Sequence, residues 1–240
     1  MGDENPKNAD GGEESFGEDD YCLPSELPKS EQQTIYDSLL RTMTKLGFRN
    51  GVYHCEARVD NSTMEWGVTK TGAPELVPRK DHNGKTPTSW LIEINTRPGG
   101  FNTCDIVQST YGVDYWSLLL ATKLVDNDEV VRSLSTPYRD GAQGFADMVF
   151  VIAAFDKNTK KGIWESGNVT EEMIRERPDL GKHFTGHFTF PKKGEVVPHP
   201  SSGTNRFVVY MHLFSRESRA NVLELASEAK KELARRTHWS

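Results

Sequence analysis

The sequence predicts an α+β fold, an antiparallel sheet with helices laid against it, and three observations carry that prediction. Residues 51–59 and 90–97 alternate apolar and polar side chains at the strand period of two. Residues 30–46 instead carry Ile35, Leu39, Met43 and Leu46 on one helical stripe. The apolar runs 148–155 and 205–214 read as further strands, the first of them central in a sheet.

Taken in order, the elements divide as follows. Residues 1–31 hold ten Asp and Glu against two Lys, net −8, which leaves the rest at +2 within an overall −6. Residues 1–27 therefore read as an acidic leader and connector, too polar at the start to repay the entropy of ordering. The folded body is assigned to 28–240. Ser30 and Gln33 form a capping-box pattern, and Gly47 stands where a C′ glycine belongs. Residues 60–89 make a long excursion, with a hairpin about Thr71-Gly72 and a polar loop at 80–87. Helices follow at 105–111 and 114–124, broken at Gly112, with Trp116, Leu119, Leu120 and Leu124 as the packed face. Strands are expected at 143–155, 182–190 and 205–214, a short helix at 170–177 ended by Pro178, and a last helix capped by Ser215. That last helix buries Ala220, Leu223, Ala226, Ala229 and Leu233.

Composition excludes several classes. The near-neutral body has no clustered basic face for nucleic acid. No apolar run reaches membrane-spanning length, and no secretory leader is recognisable. Cys22, Cys55 and Cys104 are odd in number and lack paired spacing, which reads as reduced thiols in a cytoplasmic protein. His183 and His187 have the spacing of two helical zinc ligands, but Gly186 and the flanking aromatics favour strand, where positions four apart do not meet.

The chemistry concentrates on the two alternating strands. In 90–97, Trp90, Ile92, Ile94 and Thr96 face one way, and Glu93, Asn95 and Arg97 the other. In 51–59, His54, Glu56 and Arg58 form the polar face. Pairing the strands antiparallel sets Glu56 beside Glu93 and Asn95, and two carboxylates so close repel unless a cation lies between them. Oxygen ligands of this kind suit a hard divalent ion. Pro98 stops the ladder, and Gly99-Gly100 lets the backbone turn or approach a ligand.

The pattern Gly-x-x-His-x-Glu followed by Ile-Glu-x-Asn-x-Arg-x-Gly-Gly resembles the C-terminal half of ATP-grasp carboxylate–amine ligases, above all the branch that joins amino acids. The resemblance runs from about residue 28 to the end. It implies that Glu56, Glu93 and Asn95 hold Mg²⁺ (or Mn²⁺) on ATP. It implies that Arg97 is the catalytic group that meets phosphate or substrate carboxylate, and that Gly99 and Gly100 give the nucleotide and substrate clearance. The implied substrates are ATP and small amino-acid-like carboxylates and amines, joined through an acyl phosphate. Lysine-bearing strands and a glycine-rich flap would belong upstream, where only about thirty residues stand before the Ser30 helix. The expectation is a partial fold that lacks its N-terminal lobe and is inactive by itself, with that lobe supplied in trans. The alternative is a non-catalytic remnant or subunit that binds metal or nucleotide.

Overall fold

A computed structural model of the chain describes residues 1–5, 20–69, 72–82, 84–153, 162–198 and 207–240. In chain order the elements are β1 (Asp3–Asn5), β2 (Asp20–Leu23), α1 (Lys29–Lys45), β3 (His54–Asp60), β4 (Met64–Val68), β5 (Pro74–Pro78) and β6 (Thr88–Asn95). They continue with α2 (Phe101–Tyr111), α3 (Tyr115–Leu124), α4 (Asp128–Ser135), β7 (Phe145–Ile152), α5 (Val169–Glu176), α6 (Pro178–Gly181), β8 (Phe184–Thr189), β9 (Phe207–Ser215) and α7 (Arg219–Arg236). The chain divides into two compact units, 1–3 with 23–143, and 4–22 with 144–240. Among the described residues no helix is long and apolar enough to cross a membrane.

In the first unit, α1 lies against a two-stranded antiparallel ladder of β3 and β6. Ile35 is buried and Leu39 and Met43 are half-buried, but Leu46, read as part of the same stripe, is exposed at the helix end. The helix closes in a Schellman motif: Gly47 N–H donates to Thr44 O and Phe48 N–H to Met43 O, with Gly47 at φ 89°. Its start differs from the capping-box reading. Pro28 precedes the first turn and no side chain caps it. The buried Glu31 instead reaches out of that turn to Ser62 and Thr63.

β4 and β5 form the expected hairpin, with the Thr71 part of its turn outside the described residues. Val52, Val113 and Leu118 make a small core onto which Tyr115, Leu119 and Val131 pack. The packed face of α3 is thus Leu118 and Ala121, joined by Leu119. Trp116, Leu120 and Leu124 are exposed, Leu124 to 78%. The 115–124 segment is apolar on both sides, so spacing alone selected the wrong stripe. Helix α4 was not predicted, although Asn127 caps it through Glu129 N–H and Val130 N–H.

Asp114 caps α3 by accepting from Trp116 N–H at 2.9 Å and Ser117 N–H at 3.2 Å, and it also accepts from the Ser117 hydroxyl. That hydroxyl and the two amides hold its carboxyl below the ordinary range. An Asp114→Ala substitution is expected to cost about 1 kcal/mol in denaturant unfolding, the usual worth of a lost N-cap.

The second unit holds most of a five-stranded sheet in the order β1-β2-β7-β9-β8. Residues 3–5 and 20–23, read from sequence as leader and connector, are strands of this sheet, while 6–19 lie outside the described residues. β7 is interior as predicted, antiparallel to β9, which is antiparallel to β8 at the edge. Helix α7 packs across β7 and β9 with Val222, Leu223, Ala226, Ala229 and Leu233 buried. Ala220 is exposed, and the cap is Ser218, accepting from Asn221 N–H, in place of Ser215. His187 lies on β8 with its Nδ1 3.2 Å from Thr170 Oγ1. The turn read at 156–162 falls largely outside the described residues.

Candidate functional site

The site is the outer surface of the β3–β6 ladder, and its register sets it. His54 stands opposite Asn95, and Glu56 directly opposite Glu93. Opposed residues in an antiparallel pair share a face, so these four side chains form a square on one surface. One ring nitrogen of His54 and one carboxylate oxygen each from Glu56 and Glu93 lie within 4.8 Å of one another. Asn95 Nδ2 donates to Glu93 Oε1 at 2.5 Å, which fixes that carboxylate beside the amide.

A β-bulge interrupts the ladder between Glu56 and Ala57. Glu56 pairs with Glu93 but Ala57 pairs with Leu91, so Ile92 is the extra residue. The strict alternation read from sequence therefore breaks at Ile92. Beyond the bulge Trp90 pairs with Arg58, which places it on the Glu56 surface, 67% exposed, and not with Ile94 on the inner face. The inner face is covered by α1, where Cys55 Sγ lies 3.8 Å from Met43 Sδ.

Past β6 the chain turns into α2. Arg97 is exposed beyond the strand end, and its Nη1 donates to Pro98 O at 3.0 Å. Gly99 is buried, and a Cβ there would meet Thr103 Cβ at 3.1 Å and His54 Cδ2 at 3.6 Å. The tight approach is to Thr103, and the imidazole lies at ordinary packing distance. Gly100 is exposed with open space where a Cβ would stand, and it precedes the first turn of α2. Cys104 Sγ donates to Gly99 O at 3.4 Å; burial, aided by Asp105 and Asp114, pushes its thiol up to about 11, which leaves it an unreactive packing group.

The structure thus gathers His54, Glu56, Glu93 and Asn95 on one surface and sets Arg97, Gly99 and Gly100 in the segment that follows. The donor set suits a divalent cation: two carboxylates, an amide and an imidazole, with like charges face to face across the ladder. Glu31, which ties α1 to the turn after β3, was missed because a first-turn glutamate carries no periodic signal.

No protein-family model matches the chain. It is 38% identical over 238 residues to the ATP-grasp enzyme fsqD of Aspergillus fumigatus, an alignment that takes in 96% of this chain and 41% of that protein. The chain therefore spans about two fifths of the length of that curated relative. Its backbone is similar to that of an L-amino acid ligase from Bacillus licheniformis, with a TM-score of 0.63 at 17% identity, covering 100% of this chain and 47% of that one. It is also similar to a phosphoribosylglycinamide synthetase from Anaerococcus prevotii, with a TM-score of 0.55 at 10% identity, covering 93% and 45%. At these identities the structural likeness is one of fold. The chain is thus related in sequence to part of a named ATP-grasp enzyme and shares the fold of these ligases, consistent with a C-terminal half of that fold.

Proposed function

We propose that this chain is the metal-and-phosphate portion of an ATP-dependent carboxylate–amine ligase, and that its β3–β6 surface binds Mg²⁺–ATP. The observation that carries the reading is the face-to-face pairing of Glu56 and Glu93, flanked by His54 and Asn95. Two carboxylates held opposite one another on a sheet repel, and a divalent ion between them turns that cost into binding. Asn95 adds a ligand oxygen without a further negative charge and orients Glu93 through its amide. Glu56, Glu93 and Asn95 would hold the ion, which would supply positive charge to offset what builds up during phosphoryl transfer.

Arg97, next along the chain, supplies a permanent positive charge and a two-pronged donor that suits a phosphate or a carboxylate. Gly100, exposed with open space beside it, leaves the turn accessible to a bound ligand, whereas Gly99 is buried against Thr103 and gives no such clearance. In the whole ligase the acid's carboxylate oxygen attacks the γ-phosphorus and ADP leaves. The amine nitrogen then attacks the acyl carbon of the acyl phosphate, phosphate leaves, and the proton shed by nitrogen goes to solvent. The small amino-acid-like substrates are supported by the likeness to the L-amino acid ligase. The curated relative is more than twice the length of this chain, and the two-step reaction is proposed for a protein of that length. Free thiols at Cys22, Cys55 and Cys104 fit the reducing cytoplasm.

Titrating the chain with Mg²⁺–ATP in a calorimeter tests the reading. Weak binding is expected, and Glu56→Gln and Glu93→Gln should each weaken it at least tenfold, about 1.4 kcal/mol, with the circular dichroism unchanged. Binding indifferent to both substitutions overturns the assignment.

A further inference from the structure

We propose that His54 is a further protein ligand of this metal site, beside Glu56, Glu93 and Asn95, so that it takes a borderline transition-metal dication such as Mn²⁺ or Co²⁺ in preference to Mg²⁺. The inference rests on the carboxylate reading above and adds to it the ligand that decides which ion is held.

Three observations support it. The imidazole shares its surface with both carboxylates, and its ring nitrogen completes the group whose ligand atoms lie within 4.8 Å. The ligand atoms of one ion, each about 2.1 Å from it, lie within about 4.2 Å of one another, so small side-chain adjustments close the site. Among the described residues, His54 Nδ1 is buried and finds no hydrogen-bond partner. A buried ring nitrogen left unpaired carries a desolvation cost that a hydrogen bond or a metal bond removes, and such groups are uncommon in folded proteins.

The third observation is the placement of the ring. Its Cδ2 packs beside buried Gly99, 3.6 Å from where a Cβ on that residue would stand, an ordinary van der Waals contact. His54 is therefore held at the site by the strand behind it and by the turn into α2. The chemistry then distinguishes ions. Mg²⁺ is a hard cation that takes oxygen and keeps its waters, whereas imidazole nitrogen favours later first-row dications. Two carboxylates, one amide and one imidazole would still leave room in a six-coordinate ion's shell for other oxygen ligands.

The probe is Mn²⁺ alone, titrated into the chain and into His54→Asn, with free Mn²⁺ read by electron paramagnetic resonance and Mg²⁺ measured by competition. Bound Mn²⁺ in the original chain is expected to show electron spin-echo modulation from an imidazole nitrogen. His54→Asn should abolish that modulation and weaken Mn²⁺ at least tenfold, while changing Mg²⁺ affinity less than about threefold. Mn²⁺ bound through Glu56 and Glu93 with no nitrogen modulation, or with equal affinity in the variant, overturns the His54 assignment and leaves the carboxylate site standing. An original chain that binds neither ion overturns both.

Discussion

Glu31→Ala is expected to cost the fold about 3 kcal/mol, a loss that denaturant unfolding at neutral pH reads directly. Glu31 is 2% exposed, an uncommon position for a glutamate on the first turn of a helix. Its carboxylate accepts from Ser62 Oγ at 2.6 Å, Thr63 N–H at 2.8 Å and Thr63 Oγ1 at 2.5 Å. Ser62 Oγ in turn accepts from Met64 N–H at 3.0 Å. One side chain thereby ties α1 to the turn that ends β3 and begins β4. Hydrogen bonds to a charged acceptor contribute about 1.5–3 kcal/mol each, and the relief of a buried charge offsets part of the three.

Burial alone would push this carboxyl up; the Ser62 and Thr63 donors together outweigh it and hold its pKa below the ordinary value of 4.5. The stability it contributes is fully present above that unfolded value and is lost as pH falls through the folded one. The original and Glu31→Ala curves should converge in acid. Amide exchange at Thr63 and Met64 should quicken in the variant at neutral pH. A neutral-pH difference under about 1 kcal/mol would mean that the network is no stronger than ordinary surface hydrogen bonds.

The contrast between Glu31 and Glu93 explains what was legible in the sequence. Glu93 belongs to a two-residue alternation that names its own face, and the partner strand carries the same alternation, so the meeting of Glu56 and Glu93 followed from pattern and pairing. His54 was readable on the same grounds, as a residue sharing Glu56's parity. The bulge at Ile92 was not readable, because one unpaired residue changes the face of everything beyond it without changing composition. Trp90 was for that reason assigned to the inner face, and the register sets it outside. In α3 the failure has another origin. A segment that is apolar on both sides offers two stripes of equal spacing, and tertiary contact with Val52 and Val113 selects Leu118. The strands at 3–5 and 20–23 were missed because local composition, acidic and proline-flanked, says nothing of the sheet edge that accepts them.

The other large effect is acid lability centred on His212. This residue is interior on β9, opposite Met148 on β7 and Gly186 on β8. It is fully buried, and among the described residues neither ring nitrogen finds a hydrogen-bond partner. A Cβ on Gly186 would stand 2.7 Å from its Nδ1, so the glycine opposite is what makes room for the ring. Burial lowers its pKa from 6.5 to about 4. The folded chain therefore keeps the imidazole neutral at pH values where the unfolded chain has already taken up a proton. Stability is whole above pH 6.5, falls as pH drops, and has lost His212's full share below about 4, a loss of about 3 kcal/mol. Most of that slope lies between 6.5 and 4.5, above the range in which Glu31 acts. The window thus separates the two groups. His212→Leu keeps an apolar side chain in the sheet and cannot take up a proton, so its unfolding free energy should lack this slope. Parallel curves for the two proteins from pH 6.5 to 4.5 would mean that solvent or a partner group reaches the ring, and the sheet would then not be the closed apolar layer that His212's burial describes.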